Sequence, residues 1–441
     1  MSKKYGKSGR KKKQKGGKPY TGMPSLSSTT PSFSAPQKKR QLRFDEPETL
    51  DRINNCDSLA QVLSTLKDSY ESIKSLDRRQ REKHSYFFFH KVSPRVSAMS
   101  SLIAGASSHQ IAYIMRFSGK LGAELKPDFT EAWADRFCET MPYMDKRQLM
   151  ASLHGLREMR FYPAHPILSK ITERFLEIQN GEPDTQLDCV ELTRVFADHA
   201  EAGIVPDREL LMAWSQKCSE MQGMHDYYES RSLLRSLAIF DILRPDWGLR
   251  TFAGRVDEGL KKLNHPKDGQ DHALMQARMY LDLPLNSIPS SYDTHDNKSR
   301  AEQRFRTLLE ETTRINVEDG EFIPEIPRHC DMKQNYYGTP VHIEYDGAFH
   351  FSRDLSAPCN AGHDIYNGST LLQSALMEKL RPTEHFLRVR AVDGNELQKL
   401  PQDRAKKSLK RIMDEVVQKP AGVYESKLFC GGFVGQHLPT R

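Results

Sequence analysis

The sequence lacks the features that define several protein classes. No run of 18 apolar residues occurs, so no stretch is long enough to span a membrane as a helix. No apolar segment follows Met1, and we expect no secretory signal. The seven cysteines form no C-x-x-C pair and no spacing typical of secreted scaffolds. These absences predict an intracellular protein in a reducing compartment, with the bacterial cytoplasm, a mitochondrion and a chloroplast all open.

Motifs of the large enzyme classes are missing as well. The sequence contains no G-x-S-x-G and no kinase motif set. The glycines Gly431-Gly432 lack the strand and helix that flank a phosphate-binding loop. No zinc-finger spacing links the 16 histidines to the cysteines. The sequence therefore gives no support to a kinase, a hydrolase of the G-x-S-x-G type, a dinucleotide-binding enzyme or a zinc finger.

The positive charge of the chain is confined to its N-terminal residues. The formal net charge is +7, from 65 Lys and Arg against 58 Asp and Glu. Residues 1–44 hold 13 of these bases and no acid, which leaves 52 bases against 58 acids in the rest. We interpret 1–44, which is rich in Lys, Gly, Ser and Pro, as a disordered basic tail. Any nucleic-acid surface on the folded part must then be a local patch.

A helical repeat is predicted over residues 46–262. Apolar residues recur there at spacings of three and four, which is typical of amphipathic helices. Four segments align with each other, each with a helix, a turn with proline and a second helix: Ile111–Phe137, Leu149–Phe175, Leu192–Cys218 and a fourth that starts at Leu233. The turn prolines lie 36, 43 and 39 residues apart. One hairpin cannot bury its apolar face but stacked hairpins can, so we predict an α-solenoid of four to six hairpins.

Two shorter segments complete this part of the prediction. Within residues 46–100 we expect one or two further helices, with Tyr86-Phe87-Phe88-Phe89 as a buried aromatic anchor. Residues 263–296 are rich in Pro, Asn, Asp and Ser and are predicted to be a linker. One helix is expected in this linker, around Ala273–Leu281.

The pattern changes after residue 296. A helix is expected over Ser299–Thr313, with Ser299 as its cap and Glu302 completing a capping box. Extended stretches, a turn and a second helix follow: strand Phe322–Ile326, strand Val341–Tyr345, turn Asp346-Gly347, helix Thr370–Leu380 and strand Phe386–Val392. This order predicts a small α/β domain over 297–415, followed by a C-terminal extension at 416–441.

Three segments carry a family resemblance: IEYDGAFHF (343–351), YNGSTLLQSALMEKL (366–380) and FLRVRAVDGNEL (386–397). Their E-x-D-G-x-x-H and YNG-x-T patterns resemble a RAP domain, which is similar in fold to very-short-patch-repair endonucleases. The helical repeat is similar in pattern and length to octotricopeptide repeats and to the helical region of FAST-kinase-like proteins. The resemblance implies binding of single-stranded RNA along a stacked helical surface. It covers about a quarter of the chain in the α/β region.

The resemblance also implies a set of acidic site residues. The helical acid of the endonucleases is matched by Glu302, the strand Asp by Asp331, and the next group by Asp346 and His350. Glu344 alternates with Asp346, so both side chains leave the same face of their strand. Asp331, Glu344 and Asp346 are candidate ligands for Mg²⁺, the only cofactor expected and only if the domain cleaves RNA. His350 is a candidate acid, base or phosphate ligand.

Other residues argue against nuclease activity. Restriction-type nucleases of this class carry E-x-K, whereas the spacing from Glu344 places Asp346 at the lysine position. Arg388 and Arg390 bind phosphate well but cannot act as a general base. Asp346 and Gly347 could equally form a turn that His350 caps.

Three functions therefore stay open. The first is an RNA-binding protein that supports RNA processing or stability, the second is a Mg²⁺-dependent endoribonuclease, and the third is a protein-interaction scaffold. Six RNA contacts are predicted. Arg388 and Arg390 belong to the α/β region, and the repeat contributes one residue in the first helix of each hairpin: Arg116, His154, Arg194 and Arg235.

Overall fold

Helices make up most of the protein in this computed structural model, and small sheets complete it. The structure describes residues 44–163, 165–220, 226–265, 271–285, 299–320, 322–323, 328–347, 350–355, 364–391, 401–427 and 434–436. The predicted tail lies outside these residues up to position 43. Residues 43–441 form one compact unit. Among the residues that the structure describes, no helix has the length and apolar character that a membrane span requires.

The first helices pack around an aromatic pair. They are α1 (Glu46–Asn54), α2 (Leu59–Ile73), α3 (Arg78–Phe87) and α4 (Ser93–Ser97), with a π-helical segment at Phe88–Val92. Phe87 and Phe88 are buried, as predicted, and Phe44 packs against both rings. Tyr86 and Phe89 are exposed, so the prediction of a fully buried anchor was wrong for half of the run. The π turn adds one residue to the helical repeat and shifts the side chains that follow it.

Four helical pairs follow, and they confirm the predicted helix–turn–helix segments. Their bounds are α5 (Ser108–Lys120), α6 (Pro127–Thr140), α7 (Lys146–Glu158), α8 (His165–Gln179), α9 (Cys189–Ala202), α10 (Arg208–Glu220), α11 (Tyr227–Leu243) and α12 (Arg250–Leu263). Pro127 is the first residue of α6, and Pro245 begins a short 3-10 turn before α12. The first helices α5, α7, α9 and α11 pack side by side, and each second helix packs on its own first helix.

Each first helix begins with the same capping arrangement. The pairs are Ser107 with Gln110, Asp145 with Gln148, Asp188 with Glu191, and Asp226 with Glu229. In each pair the first side chain accepts the backbone N–H of the second residue, and the second side chain accepts the backbone N–H of the first. This capping box satisfies N–H groups that a helix leaves without partners. It marks the start of the repeat unit more sharply than the prolines do.

The α/β part follows α13 (His272–Tyr280), which lies where the linker helix was predicted. Its helices are α14 (Arg300–Thr313), α15 (Gly368–Leu380) and α16 (Gln402–Gln418). Its strands are β2 (Glu318–Asp319), β3 (Phe322–Ile323), β4 (Arg328–His329), β5 (Met332–Tyr336), β6 (Thr339–Gly347), β7 (Phe351–Asp354), β8 (Ile365–Tyr366), β9 (His385–Ala391), β10 (Gly422–Lys427) and β11 (Val434–Gln436). The cap of α14 is confirmed, because Ser299 Oγ accepts the backbone N–H of Glu302 at 3.0 Å. The predicted turn at Asp346-Gly347 was wrong, because β6 continues through Gly347.

The main sheet has the order β11-β10-β9-β6-β5-β2, with β10, β9 and β6 parallel. Its two faces differ in chemistry because side chains alternate along each strand. One face presents Ile343, Tyr345, Leu387 and Val389 to the buried side chains of α14 and α16. The other face places Glu344 and Asp346 of β6 in register with Arg388 and Arg390 of β9. The charged face is the one that bears the predicted site.

The α/β part packs directly on the helical pairs. Helix α15 contacts α9, α11 and α13, and its apolar residues belong to the same core as the first helices. A short strand after α7, β1 (Phe161–Tyr162), pairs in parallel with β7. Lys379 near the end of α15 donates to the carbonyl oxygens of Met279 and Tyr280 at 3.2 and 2.6 Å. These contacts bring residues far apart in sequence to one junction.

A pH dependence of stability follows from His199 in α9. Its side chain is buried and its Nδ1 donates to Val195 O at 2.7 Å, and burial lowers the pKa below the ordinary 6.5. Below pH 6.5 the unfolded chain binds a proton that the native chain does not, so the free energy of unfolding decreases as the pH falls toward the folded pKa. We expect the variant His199→Gln to lose less stability than the wild type between about pH 7.5 and about pH 5.5 in urea denaturation. Equal losses in the two proteins would contradict this role.

Candidate functional site

Two of the predicted site residues, Asp346 and His350, meet at the junction between β6, β7 and α15. His350 Nδ1 lies 3.1 Å from Asp346 Oδ1 and 3.2 Å from Thr370 Oγ1. The backbone N–H of Asn367 donates to His350 O at 2.9 Å. His350 therefore links the two sequence patterns, since Asp346 belongs to E-x-D-G-x-x-H while Asn367 and Thr370 belong to YNG-x-T.

Asp346 forms a buried ion pair with Arg388. The Nε and one terminal nitrogen of Arg388 donate to Asp346 Oδ2 and Oδ1, both at 2.7 Å. Both side chains have 0% exposure. The other terminal nitrogen of Arg388 donates to Ser374 Oγ of α15 at 3.3 Å. Two parallel charge-assisted hydrogen bonds of this kind are strong and fix the geometry of both side chains.

The electrostatics of the junction centre on this pair. Burial disfavours the guanidinium charge, but Asp346 and then Glu344 raise the pKa of Arg388 above its ordinary value. Tyr366 packs its ring 5.7 Å from the guanidinium carbon. Burial, and then the Asp346 charge, raise the pKa of Tyr366 well above its usual range. Arg388 is therefore permanently charged, and Tyr366 stays protonated.

Arg390 holds a second cluster on the same face. It donates to Asp364 O at 2.5 Å and to Glu425 Oε1 at 3.3 Å, and its guanidinium carbon lies 4.3 Å from the centre of the Phe351 ring. Nearby, burial and then the charges of two aspartates raise the pKa of Tyr162 to about 12. Because Tyr162 belongs to β1, the helical pairs contribute to this cluster as well.

The YNG-x-T residues dock α15 on the helical pairs. Asn367 caps α15, since its Oδ1 accepts the backbone N–H of Thr370 at 3.0 Å. A Cβ at Gly368 would lie 1.9 Å from Ala200 O and 2.8 Å from Ile239 Cδ1, so only glycine allows this approach. Arg235 of α11 donates to Ser369 Oγ at 2.9 Å and is ion-paired with Glu201. The YNG-x-T residues thus hold the α/β part against the helical pairs.

These residues do not fit a magnesium site. Both oxygens of Asp346 are bound by Arg388, and Asp331 Oδ2 accepts the backbone N–H of Tyr345 at 2.8 Å. Helix α14, which carries Glu302, packs against the opposite, apolar face of the sheet. Within the described ranges, no group of three or more His, Cys, Asp or Glu side chains is arranged to hold a metal. The structure thus brings together Asp346, His350 and Arg388, but it does not gather the four predicted acids and His350 into one cluster.

The predicted RNA contacts occupy different environments. Arg388 and Arg390, which were predicted to contact RNA, are buried and bind carboxylates and carbonyl groups of the protein itself. Arg235 is mostly buried at α15, and burial lowers its pKa to about 10. His154 lies 3.3 Å from Asp198. Arg194 is exposed and lies 3.6 Å from Glu229, and Arg116 is half-buried beside Tyr113. Arg194 is therefore the most accessible of the six.

Sequence reasoning missed the residues that complete the junction. They are Ser374 of α15, Tyr162 of β1 and Asp364 just before β8, and each contacts or charges the site. Ser374 lies four residues after Thr370, so helical spacing was a usable signal for it. The pairing of β1 with β7 left no such signal, because two residues are too few to show a strand pattern.

Comparisons with known proteins identify no relative of this chain among protein-family models or curated proteins. No family model matches the sequence, and no curated protein matches it significantly. The resemblance to RAP domains therefore stays a resemblance of pattern, and the geometry of the junction carries the functional argument.

Proposed function

We propose that this protein binds single-stranded RNA and acts in RNA processing or stability. In this proposal the paired helices form an α-solenoid that binds the strand, and the α/β part has a RAP-like, nuclease-like fold that holds it. The observation that carries the proposal is the junction in which E-x-D-G-x-x-H and YNG-x-T residues join the α/β part to the first helices. A strand bound along the first helices would meet the α/β part at this junction.

Binding without cleavage is the better supported form of the proposal. A metal-dependent nuclease needs carboxylate oxygens that are open to the ion. Asp346 gives both of its oxygens to Arg388 and has no exposed surface. Displacing a permanently charged guanidinium would leave it buried without its partner, which is costly.

The test uses residues 43–441, which form one compact unit without the basic tail. RNA crosslinked to this protein in cells is sequenced, and the purified protein is incubated with the recovered RNA with and without Mg²⁺. We expect RNA to be retained at about 0.15 M salt and its length to stay the same in Mg²⁺. Loss of all RNA would favour the protein-interaction scaffold. Shorter products that require Mg²⁺ would favour the nuclease.

A matched pair of variants tests whether the first helices carry the binding. Arg194→Ala removes an exposed cation from a first helix, and Arg255→Ala removes one from a second helix. Each lost phosphate contact lowers the slope of log Kd against log salt by about 0.7 for single strands. We expect this decrease for Arg194→Ala and an unchanged slope for Arg255→Ala in fluorescence anisotropy titrations. A decreased slope for Arg255→Ala with an unchanged slope for Arg194→Ala would place the RNA on the second helices and contradict the proposal.

A further inference from the structure

An exposed aromatic surface lies at the end of α3. Tyr86 is 69% exposed and Phe89 is 40% exposed, although the two residues between them are buried. The ring of His90 joins them, with its centre 4.1 Å from that of Tyr86 and 4.7 Å from that of Phe89. We name Tyr86, Phe89 and His90 the aromatic platform. Three neighbouring rings that face solvent are unusual for a core segment and mark a binding surface.

The platform occurs at a π turn and in a basic segment. The π-helical residues Phe88–Val92 include two of its three rings, and such turns are frequent at functional sites. Residues 78–95 contain six Lys and Arg against one acid. Four of these bases are exposed in the structure: Arg81, Lys83, Lys91 and Arg95. The chain after the tail is acidic overall, so a nucleic-acid surface there must be a local basic patch. Residues 78–95 form such a patch.

A small cavity adjoins the platform. Phe89 lines it together with Arg160, which follows α7, and Arg353 of β7. Its volume is about 50 Å³, roughly four times the space that one water needs, which suits a phosphate group and not a whole nucleotide. The helical pairs and the α/β part each supply one arginine. The cavity is therefore complete only when the two parts are joined.

The cavity is lined by two arginines and two glutamates. Its two carboxylates are already bound by cations: Glu124 accepts from Arg353 at 2.6 Å, and Glu158 accepts from Lys120 at 3.3 Å. Burial, and then the neighbouring Arg353, lower the pKa of Arg160 below its ordinary value. An anion in the cavity would lie beside both arginines and would offset the repulsion between them.

We propose that the aromatic platform stacks bases of a single-stranded RNA and that the cavity between Arg160 and Arg353 binds an adjoining phosphate. This inference rests on the proposed RNA binding and names where the strand is held. Stacking on aromatic rings beside a basic surface is how single strands are bound without sequence preference. A protein partner fits these observations less well, because the exposed Lys83 and Lys91 flank the rings in sequence and lysine is depleted at protein interfaces.

The experiment uses the full chain and a fluorescein-labelled 12-nucleotide uridine RNA, with Kd measured by anisotropy at about 0.15 M salt. The double variant Tyr86→Ala with Phe89→Ala is expected to raise Kd by about tenfold to a hundredfold. Tyr143→Ala is the matched control, since Tyr143 is an 81% exposed tyrosine that ends the short 3-10 segment after α6. It is expected to leave Kd unchanged. Arg160→Gln is expected to lower the salt slope of log Kd by about 0.7 to 1.

The outcomes separate this inference from the proposed function. If the wild type binds RNA and the double variant binds it equally well, the inference is overturned and the proposed function still stands. Absence of RNA binding by residues 43–441 would overturn both. Loss of a co-purifying protein with RNA affinity intact would show a protein-docking surface and overturn the inference. As a second measurement on the unaltered chain, 4-thiouridine RNA is expected to crosslink to residues 86–90. Crosslinks confined to the tail would count against it.

Discussion

Replacing Arg388 with methionine is expected to lower the free energy of unfolding by about 3–5 kcal/mol. The reason is that Asp346 would keep a carboxylate in a fully buried position without the guanidinium that gives it two hydrogen bonds. Ser374 would lose its contact with the same side chain. Urea denaturation followed by circular dichroism measures the change, with the slope of the transition checked against the wild type.

A double variant separates the pair from the space it occupies. Asp346→Leu combined with Arg388→Met removes both charges and keeps apolar volume, and such replacements are often neutral relative to the buried pair. We expect the double variant to be clearly more stable than Arg388→Met alone. If the single variant lost less than about 1 kcal/mol, the pair would behave as an exposed one and its buried role would be refuted.

The same pair decides how cleavage can be tested. Asp346→Asn alone leaves Arg388 buried beside a neutral amide, so this variant is expected to be destabilised whether or not the protein is a nuclease. Lost function in Asp346→Asn would therefore not identify a catalytic carboxylate. The double variant is the better probe, because it lacks the carboxylate without leaving a buried charge.

Replacing Gly368 with alanine is expected to cost about 3 kcal/mol or more and to displace α15 from the helical pairs. The added Cβ would lie 1.9 Å from the backbone oxygen of Ala200, a group that cannot move without disturbing α9. Helix α15 would also lose the hydrogen bond between Arg235 and Ser369. Thermal denaturation and limited proteolysis of the junction measure the two effects.

A glycine in α12 provides the control for this substitution. A Cβ at Gly254 would meet nothing within 4 Å. Gly254→Ala is therefore expected to stabilise the protein by about 0.5–1 kcal/mol, the usual gain in a helix interior. Similar stabilities for Gly368→Ala and Gly254→Ala would show that α15 tolerates a wider separation from α9.

Structure that depends on neighbouring residues could be predicted from the sequence, whereas contacts between distant segments could not. The order of the four helical pairs and the helices at Arg300–Thr313 and His272–Tyr280 followed from spacing and caps, because helix formation depends on neighbours three and four residues apart. The same-face placement of Glu344 and Asp346 followed from strand alternation. The expectation of burial for Tyr86–Phe89 was half wrong, because four successive residues of a helix point in different directions and only Phe87 and Phe88 face the core.

The sequence by itself determined the helical pairs, their order and which residues share a face of each strand. Only the tertiary structure decided that the charged face of the sheet is covered by α15, and that Asp346 meets an arginine 42 residues away rather than a metal. It also decided that one arginine beside the platform comes from the turn after α7 and the other from β7. The physical reason is that pairing across the sheet and docking of α15 depend on contacts between distant segments, which local periodicity does not record.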